Sequence, residues 1–379
     1  MPESSLVRET VRGAGAAGPE SLLDVRDLTV SFRTRQGVVR AVDGLSFSLA
    51  PGEVLGIVGE SGSGKSVSVM SLLGLIRDPN ARVEGQALFR GRDLVAMRDK
   101  DLRPLRGREI AMIFQDPMTA MTPVYTVGWQ IAEQIRAHDD VSKRVAHERA
   151  VELLDEVGIP DPRRRVGDFP HEFSGGMRQR AVIAMALANN PALLIADEPT
   201  TALDVTTQAQ ILDLMRRLRV EHGSSIILIT HDMGVVSDIA DQVLVMYAGR
   251  AAEQGPKKDV FHRPRHPYTW GLLDSVPRPR AERVRRLPTI PGSPASPLDV
   301  APGCPFAPRC RMRHERCDER PELAGGPAHV DACWLPRDRR QELRREVVEA
   351  AVAEGDPGDL TEHGAPLDAS TPPAPEQGP

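Results

Sequence analysis

Val54-Leu55-Gly56-Ile57-Val58-Gly59-Glu60-Ser61-Gly62-Ser63-Gly64-Lys65-Ser66 is the stretch on which the fold turns. Its first five residues are apolar throughout, as in a short strand buried on both faces of a sheet. Gly59 to Ser66 then match G-x-x-x-x-G-K-[ST] without deviation. Glycines at 59, 62 and 64 let backbone N–H groups curl around phosphate oxygens. The helix expected from Lys65 onward aims its positive end at the same place. Lys65 would neutralise β- and γ-phosphates, and Ser66 would ligate Mg²⁺. Glu60, Ser61 and Ser63 complete this candidate loop. A plain glycine-rich turn is the alternative, but it does not explain a strand before the loop and a helix after it.

Outward from the loop, apolar strand candidates alternate with helical patterns. Ile110 to Phe114, Leu193 to Ala196, Ile226 to Ile229 and Val243 to Met246 read as strands; Arg178 to Ala188 and Thr207 to Arg219 read as helices. That alternation predicts an α/β domain around a largely parallel sheet. Strand signals from Leu23 to Phe32, from Val38 to Val42 and from Gly44 to Glu53 suggest an antiparallel edge. Leu193-Leu194-Ile195-Ala196-Asp197-Glu198 ends a strand in two acids, where α/β sheets place their ligands. Asp197 would hold Mg²⁺, and Glu198, pointing the other way, would polarise an attacking water.

Composition narrows the function classes. With 40% apolar residues in 379, the chain can bury a sizeable core. A net charge of −5 lacks the basic excess usual in nucleic-acid binders, so no nucleic-acid partner is expected. No apolar run approaches the roughly 18 residues of a membrane-spanning helix, and the N-terminus lacks a secretory signal. The protein is therefore expected in the cytosol, with other chains supplying any membrane span. Residues 1–22 and the Pro-, Gly- and acid-rich stretch from 354 read as disordered tails. Residues 256–336 read as an irregular accessory segment, and 339–353 as one charged helix. All four cysteines fall between Cys304 and Cys333, which in a cytosolic chain points to metal before disulfides.

Phe173-Ser174-Gly175-Gly176-Met177-Arg178-Gln179 resembles the signature sequence of ABC ATPases. Ser174, Gly175 and Gly176 open a helix and so make a second anion site at a helix tip. The resemblance covers about 23–255 and implies a P-loop ABC cassette, with a helical subdomain at about 116–175. It implies that the Ser174 tip faces the γ-phosphate of ATP held by a partner cassette. It further implies that Gln115 contacts Mg²⁺ and the attacking water, that Asp204 communicates across the dimer, that His231 touches the γ-phosphate and that Phe32 stacks on adenine. Left to themselves, His231 reads as a capping or core histidine and Phe32 as core.

His171 to Arg180, Phe114-Gln115-Asp116-Pro117-Met118-Thr119 and His266-Pro267-Tyr268-Thr269 resemble the oligopeptide, dipeptide and nickel importer branch. Met121-Thr122-Pro123 departs from that branch's Leu-Asn-Pro. Cys304, Cys310, Cys317 and Cys333 resemble the branch's C-terminal cluster. Their ligand reads as a 4Fe–4S cluster, with zinc or free thiols as alternatives, because no C-x-x-C pair occurs. The basic run Arg278 to Arg286 reads as a solvated surface or a contact for anionic lipid. The resemblance implies an ATP hydrolase that powers peptide import, with nickel, opines and glycosides as other cargoes. It implies two membrane-spanning permease subunits, a second ATPase, with a different chain in a heterodimer favoured over a second copy in a homodimer, and, indirectly, an extracytoplasmic substrate-binding protein. It places the chain peripherally on the cytoplasmic face of the cell membrane. A soluble ABC ATPase of ribosomes or DNA is the competing class, as is an iron–sulfur regulator that only binds ATP. The single cassette disfavours the first, and the intact Lys65, Asp197, Glu198 and His231 disfavour the second.

Overall fold

The computed structural model describes residues 21–116, 120–201, 203–275, 289–296, 302–326 and 328–353, with the side chains of 347–353 left aside. The N-terminal stretch 1–20, Pro117 to Thr119, Ala202, the basic run 278–286 and the tail from 354 lie outside the described residues.

Among the described residues twelve strands form two sheets. β1 (Leu23–Thr34), β2 (Gly37–Leu49), β4 (Ala81–Phe89) and β5 (Arg92–Asp93) make an antiparallel sheet in the order β2-β1-β4-β5. The larger sheet adds β3 (Val54–Val58), β6 (Ile110–Ile113), β7 (Leu193–Asp197), β8 (Ser225–Thr230), β9 (Gln242–Tyr247), β10 (Arg250–Pro256), β11 (Ala324–Gly326) and β12 (His329–Asp331), in the order β11-β12-β10-β9-β3-β8-β7-β6. Pairing is parallel from β9 through β6 and antiparallel from β9 outward to β11.

The antiparallel strands expected at an edge thus form a sheet of their own, and the segments around Val38 to Val42 and Gly44 onward belong to one continuous strand, β2. Two-sided burial explains the arrangement. Every residue of β3, β7 and β8 is buried. Leu55, Ile57, Ile195, Ile227, Ile229 and Leu244 pack with the antiparallel sheet and Val69 and Leu72 of helix Lys65–Leu72. Val54, Val58, Ala196, Leu228 and Val245 face the opposite way, into the helical layer. Each Ile or Leu taken wholly out of water contributes roughly 1.5–3 kcal/mol. A strand with such residues on both faces has no stable position except between two layers.

Helices Val127–Arg136 and Lys143–Glu156 lie between β6 and helix Gly175–Leu187. Thr126 and Ser142 start them, each side chain accepting from the N–H three residues on. Their apolar faces, through Ile131, Ile135, Ala146 and Leu154, join the same helical layer.

Residues beyond β10 read as irregular in the sequence, yet they extend the main sheet. Glu253 pairs with Asp331 and Gln254 with Val330 across β10 and β12. Glu253, fully buried, accepts from the N–H groups of Arg265 and His266 and contacts His329 Nε2 at 2.8 Å. Asp331 meets Arg340 at 2.6 Å in the interior. Strands of three residues carry no readable periodicity, and buried polar pairs stand in for apolar core.

Candidate active site

Strand register brings the chemistry to one edge. Val58 lies opposite Thr230, Ile229 opposite Asp197 and Ala196 opposite Ile113. The chain leaves these neighbouring strand ends as the Gly59 loop, His231, Glu198 and Gln115, so four distant segments meet at the carboxyl ends of parallel strands.

Gly64 caps helix Lys65–Leu72 at φ 97°, a conformation open to glycine. A Cβ there would stand 2.3 Å from the Ala41 carbonyl oxygen. No side chain caps this helix and no acid lies in its first turn, so its tip stays positive. Lys65 Nζ donates to the carbonyls of Gly59 (2.7 Å) and Glu60 (3.0 Å), folded back over its own loop. Burial pushes the Lys65 ammonium below the ordinary lysine range, while the carboxylates of Glu198, Asp197 and Glu60 pull it back up. Ser63 Oγ is buried without a hydrogen-bond partner. A bare helix tip, an ammonium satisfied only by carbonyls and an orphaned hydroxyl suit the oxygens of a triphosphate.

Ser66 Oγ donates to Asp197 Oδ1 at 3.0 Å. Burial pushes the Asp197 carboxyl up, against the Ser66 hydrogen bond and the Lys65 charge. A hydroxyl and a buried carboxylate in contact are the hard oxygen donors that Mg²⁺ takes.

Glu198 adopts φ 47°, rare for a residue with a side chain. Its N–H donates to Ile229 O at 2.9 Å, which holds the turn. The turn swings its carboxylate away from Asp197 into a ring of donors. Gln115 Nε2 reaches Oε2 at 3.0 Å, Thr201 Oγ1 reaches Oε2 at 2.9 Å, and His231 Nδ1 lies 3.2 Å from Oε1. Burial pushes the carboxyl up, but the Thr201 and His231 hydrogen bonds and nearby positive charge outweigh it and hold the group below the usual glutamate range. Glu198 is therefore an oriented carboxylate, held below the usual glutamate range. Sequence reading passed over Thr201, whose only signal was its place three residues after Glu198.

Other expected site residues lie apart from this ring. Ser174 caps helix Gly175–Leu187 by accepting from Met177 N at 3.3 Å, and Ser174 and Gly175 are exposed. Among the described residues no hydrogen bond joins them to the Gly59 loop. Gly176 packs towards Thr207, where a Cβ would come within 2.8 Å of Thr207 Cγ2. Asp204 caps helix Val205–His222 through Thr207 N and Oγ1. Phe32 is half-buried against the antiparallel core and pairs with Val39, close along β2 to the Ala41 that touches Gly64. Glu60 turns both its N–H, to Tyr268 Oη, and its carboxylate, to Arg309, out of the phosphate cradle.

Burial pushes up the Cys304 thiol, raises Cys310 to about 11 and Cys333 to about 12, and Cys304, Cys310 and Cys317 lie within electrostatic reach of one another. Among the described residues, however, no three His, Cys, Asp or Glu side chains are arranged to hold a metal ion. The metal centre expected from the cysteine spacing is thus not displayed by these side chains. Zinc in particular needs thiolates about 2.3 Å from one ion, hence in near contact. No helix among the described residues is long and apolar enough to cross a membrane.

Residues 42–201 match the family described as ABC transporter, and 252–317 match the oligopeptide/dipeptide transporter C-terminal region. An oligopeptide transport ATP-binding protein of Salmonella typhimurium is 52% identical over 316 residues, covering 83% of this chain and 94% of that protein. A dipeptide transport ATP-binding protein of Bacillus subtilis is 50% identical over 343 residues, 90% of this chain and all of that one. Among solved structures, a dimeric post-hydrolysis ATP-binding cassette bound to ADP and Pi is similar at 26% identity and TM-score 0.56, over 62% of this chain and 98% of that one.

Proposed function

The chain belongs to the ABC transporter family, among the oligopeptide and dipeptide transport ATP-binding proteins, and from that premise we propose that it hydrolyses ATP to power a peptide importer through the residues described above. The observation that carries this reading is Glu198, ionised and held by Gln115, Thr201 and His231 beside the Ser66–Asp197 pair. Lys65 and the N–H groups of the Gly59 loop other than that of Glu60, which is held by Tyr268, take the phosphates of ATP. Bound by Ser66 and Asp197, with Gln115 at the edge, Mg²⁺ would neutralise charge on the β- and γ-phosphates. Glu198 accepts a proton from water as its oxygen attacks the γ-phosphorus, the β–γ bridge breaks, and ADP departs with phosphate. His231, mostly exposed on the rim, donates to the γ-phosphate as charge builds there.

Ser174 and Gly175 are exposed, and among the described residues no hydrogen bond joins them to the Gly59 loop, which supports a second cassette closing over the nucleotide, with Asp204 near the seam and Phe32 against adenine. The partner is taken to be a different ATPase. Permease subunits and an extracytoplasmic binding protein complete the importer and keep this subunit on the cytoplasmic face of the membrane. A groove of ≈580 Å³ lined by Phe114, Ala120, Gln134, Val182 and Met185 suits a helix end of a permease. We take 23–255 as the cassette, 116–175 as its helical part, 256–336 as the branch-specific segment and 337–379 as helix and tail. The iron–sulfur reading of the four cysteines rests on their spacing and electrostatic reach; absorbance of anaerobically purified protein separates a cluster from zinc or free thiols.

Glu198→Gln tests the central assignment. The variant keeps ATP affinity and loses about 10²–10⁴ in turnover, the usual worth of a positioned base. Unchanged turnover would remove Glu198 from the role.

A further inference from the structure

The C-terminal segment reaches the phosphate loop at Glu60. Tyr268 Oη accepts from the N–H of Glu60 at 2.8 Å. Arg309 grips the Glu60 carboxylate with both terminal nitrogens, Nη2 to Oε1 at 2.9 Å and Nη1 to Oε2. Only 7% of Arg309 is exposed, and its Nε donates to Pro291 O at 2.8 Å. Tyr247, Tyr268 and Phe306 pack around the pair, with ring centroids 4.7 to 5.4 Å apart. Arg309 itself sits in a tight turn between two cysteines: Ala307 N bonds Cys304 O, Arg309 N bonds Phe306 O and Cys310 N bonds Ala307 O.

Glu60 needs such a partner. It lies in the loop that receives a polyanion, and its charge is felt at Lys65. An unpaired carboxylate there repels phosphate and is itself costly to bury. The loop's shape is also at stake, because Lys65 Nζ hangs on the carbonyls of Gly59 and Glu60. Whatever fixes the Glu60 backbone fixes the ammonium. A bidentate guanidinium–carboxylate fork supplies both charge and geometry.

We propose that Arg309 and Tyr268 are positioning residues of the nucleotide site: from the C-terminal segment they neutralise Glu60 and hold the phosphate loop in its ATP-binding shape. The inference rests on the reading of that loop as an ATP site. It makes the cysteine-bearing segment part of the ATPase machinery and gives Glu60 a role distinct from touching the nucleotide.

The test uses the full chain, with Kd for a fluorescent ATP analogue in Mg²⁺, KM and kcat, and the unfolding temperature. Arg309→Met should weaken nucleotide binding and raise KM by about 10- to 100-fold, with kcat at saturation within about threefold. Arg309→Lys should recover part of the loss. Adding Glu60→Gln to Arg309→Met should bring Kd back to within about fivefold of wild type, because the stranded charge is gone. Tyr268→Phe, which keeps the ring packing, should weaken binding about three- to tenfold and carries the test should Arg309→Met not fold. An Arg309→Met protein that binds as wild type overturns the proposal. So does one whose loss tracks its unfolding temperature and is not relieved by Glu60→Gln, or, where that variant does not fold, a Tyr268→Phe protein that binds as wild type. Failure of the wild-type chain to bind the analogue would instead strike the ATP-site reading.

Discussion

Two helix tips in this protein begin at glycine-rich turns, and they are finished to different degrees. Helix Lys65–Leu72 begins at a left-handed glycine, carries no capping side chain, folds a lysine over its loop and is braced from behind by Tyr268 and Arg309. Helix Gly175–Leu187 begins at Ser174, which caps it, with Ser174 and Gly175 open to solvent and no lysine or arginine within its first two positions. The first tip already contains a counter-charge and a fixed shape. The second offers N–H groups and a dipole, worth about 0.3–1 kcal/mol when exposed, and gains strength only where another surface excludes water.

The sharpest way to break this contrast is a carboxylate at the second tip. A Cβ on Gly175 meets nothing within 4 Å, so Gly175→Asp fits the isolated chain. An acid in the first turn even stabilises the helix slightly. ATP binding to the Lys65 loop should persist, while turnover of the assembled transporter should fall more than about 10²-fold, since like charges forced together cost several kcal/mol. Turnover within a few-fold of wild type would show that the Ser174 tip never meets a phosphate.

Next in size is a pH effect confined to the braced tip. His266, buried beside Tyr268, accepts from Tyr268 N at 3.1 Å. Burial lowers it from 6.5 to about 4, only partly offset by the Glu253 charge. As pH falls through 6.5 the unfolded chain takes up this proton and the folded chain does not. The contribution is therefore complete above about pH 6.5 and is lost progressively down to about pH 4, on the order of 3 kcal/mol in all. Urea unfolding across this window should show a steeper loss for wild type than for His266→Gln. Parallel curves would mean that folding leaves the proton affinity of the histidine unchanged.

The smallest effect separates the caps themselves. Ser174→Ala removes one long, exposed capping bond and should cost about 0.5–1 kcal/mol in urea unfolding. No equivalent substitution exists at the Lys65 helix, which has no side-chain cap to lose. A loss well above 2 kcal/mol would mean that Ser174 is tied into the fold rather than held in reserve.

Much of the site was legible because its chemistry is written in contiguous runs. Gly59 to Ser66 is a loop whose geometry depends on its own glycines, and Leu193 to Glu198 announces a strand that ends in acids. Strands β7, β8 and β9 lie over the segments expected, because wholly apolar runs of that length have few alternatives. The antiparallel strands were legible as strands but not as a separate sheet, since pairing partners are chosen by packing rather than by local pattern. The C-terminal segment hid its contribution to the main sheet in three-residue strands stabilised by buried ion pairs such as Asp331–Arg340.

From the sequence alone came the glycine-rich loop before Lys65, the acid pair, the helix opened by Ser174 and the alternation of strand and helix, each set by neighbours in the chain. Only the tertiary structure decided that Gln115 and His231 converge on Glu198 and that Arg309 reaches Glu60 from 249 residues away. Such contacts depend on strand register and on which buried charge finds a partner. Those are properties of the whole packed molecule, and no local pattern of residues encodes them.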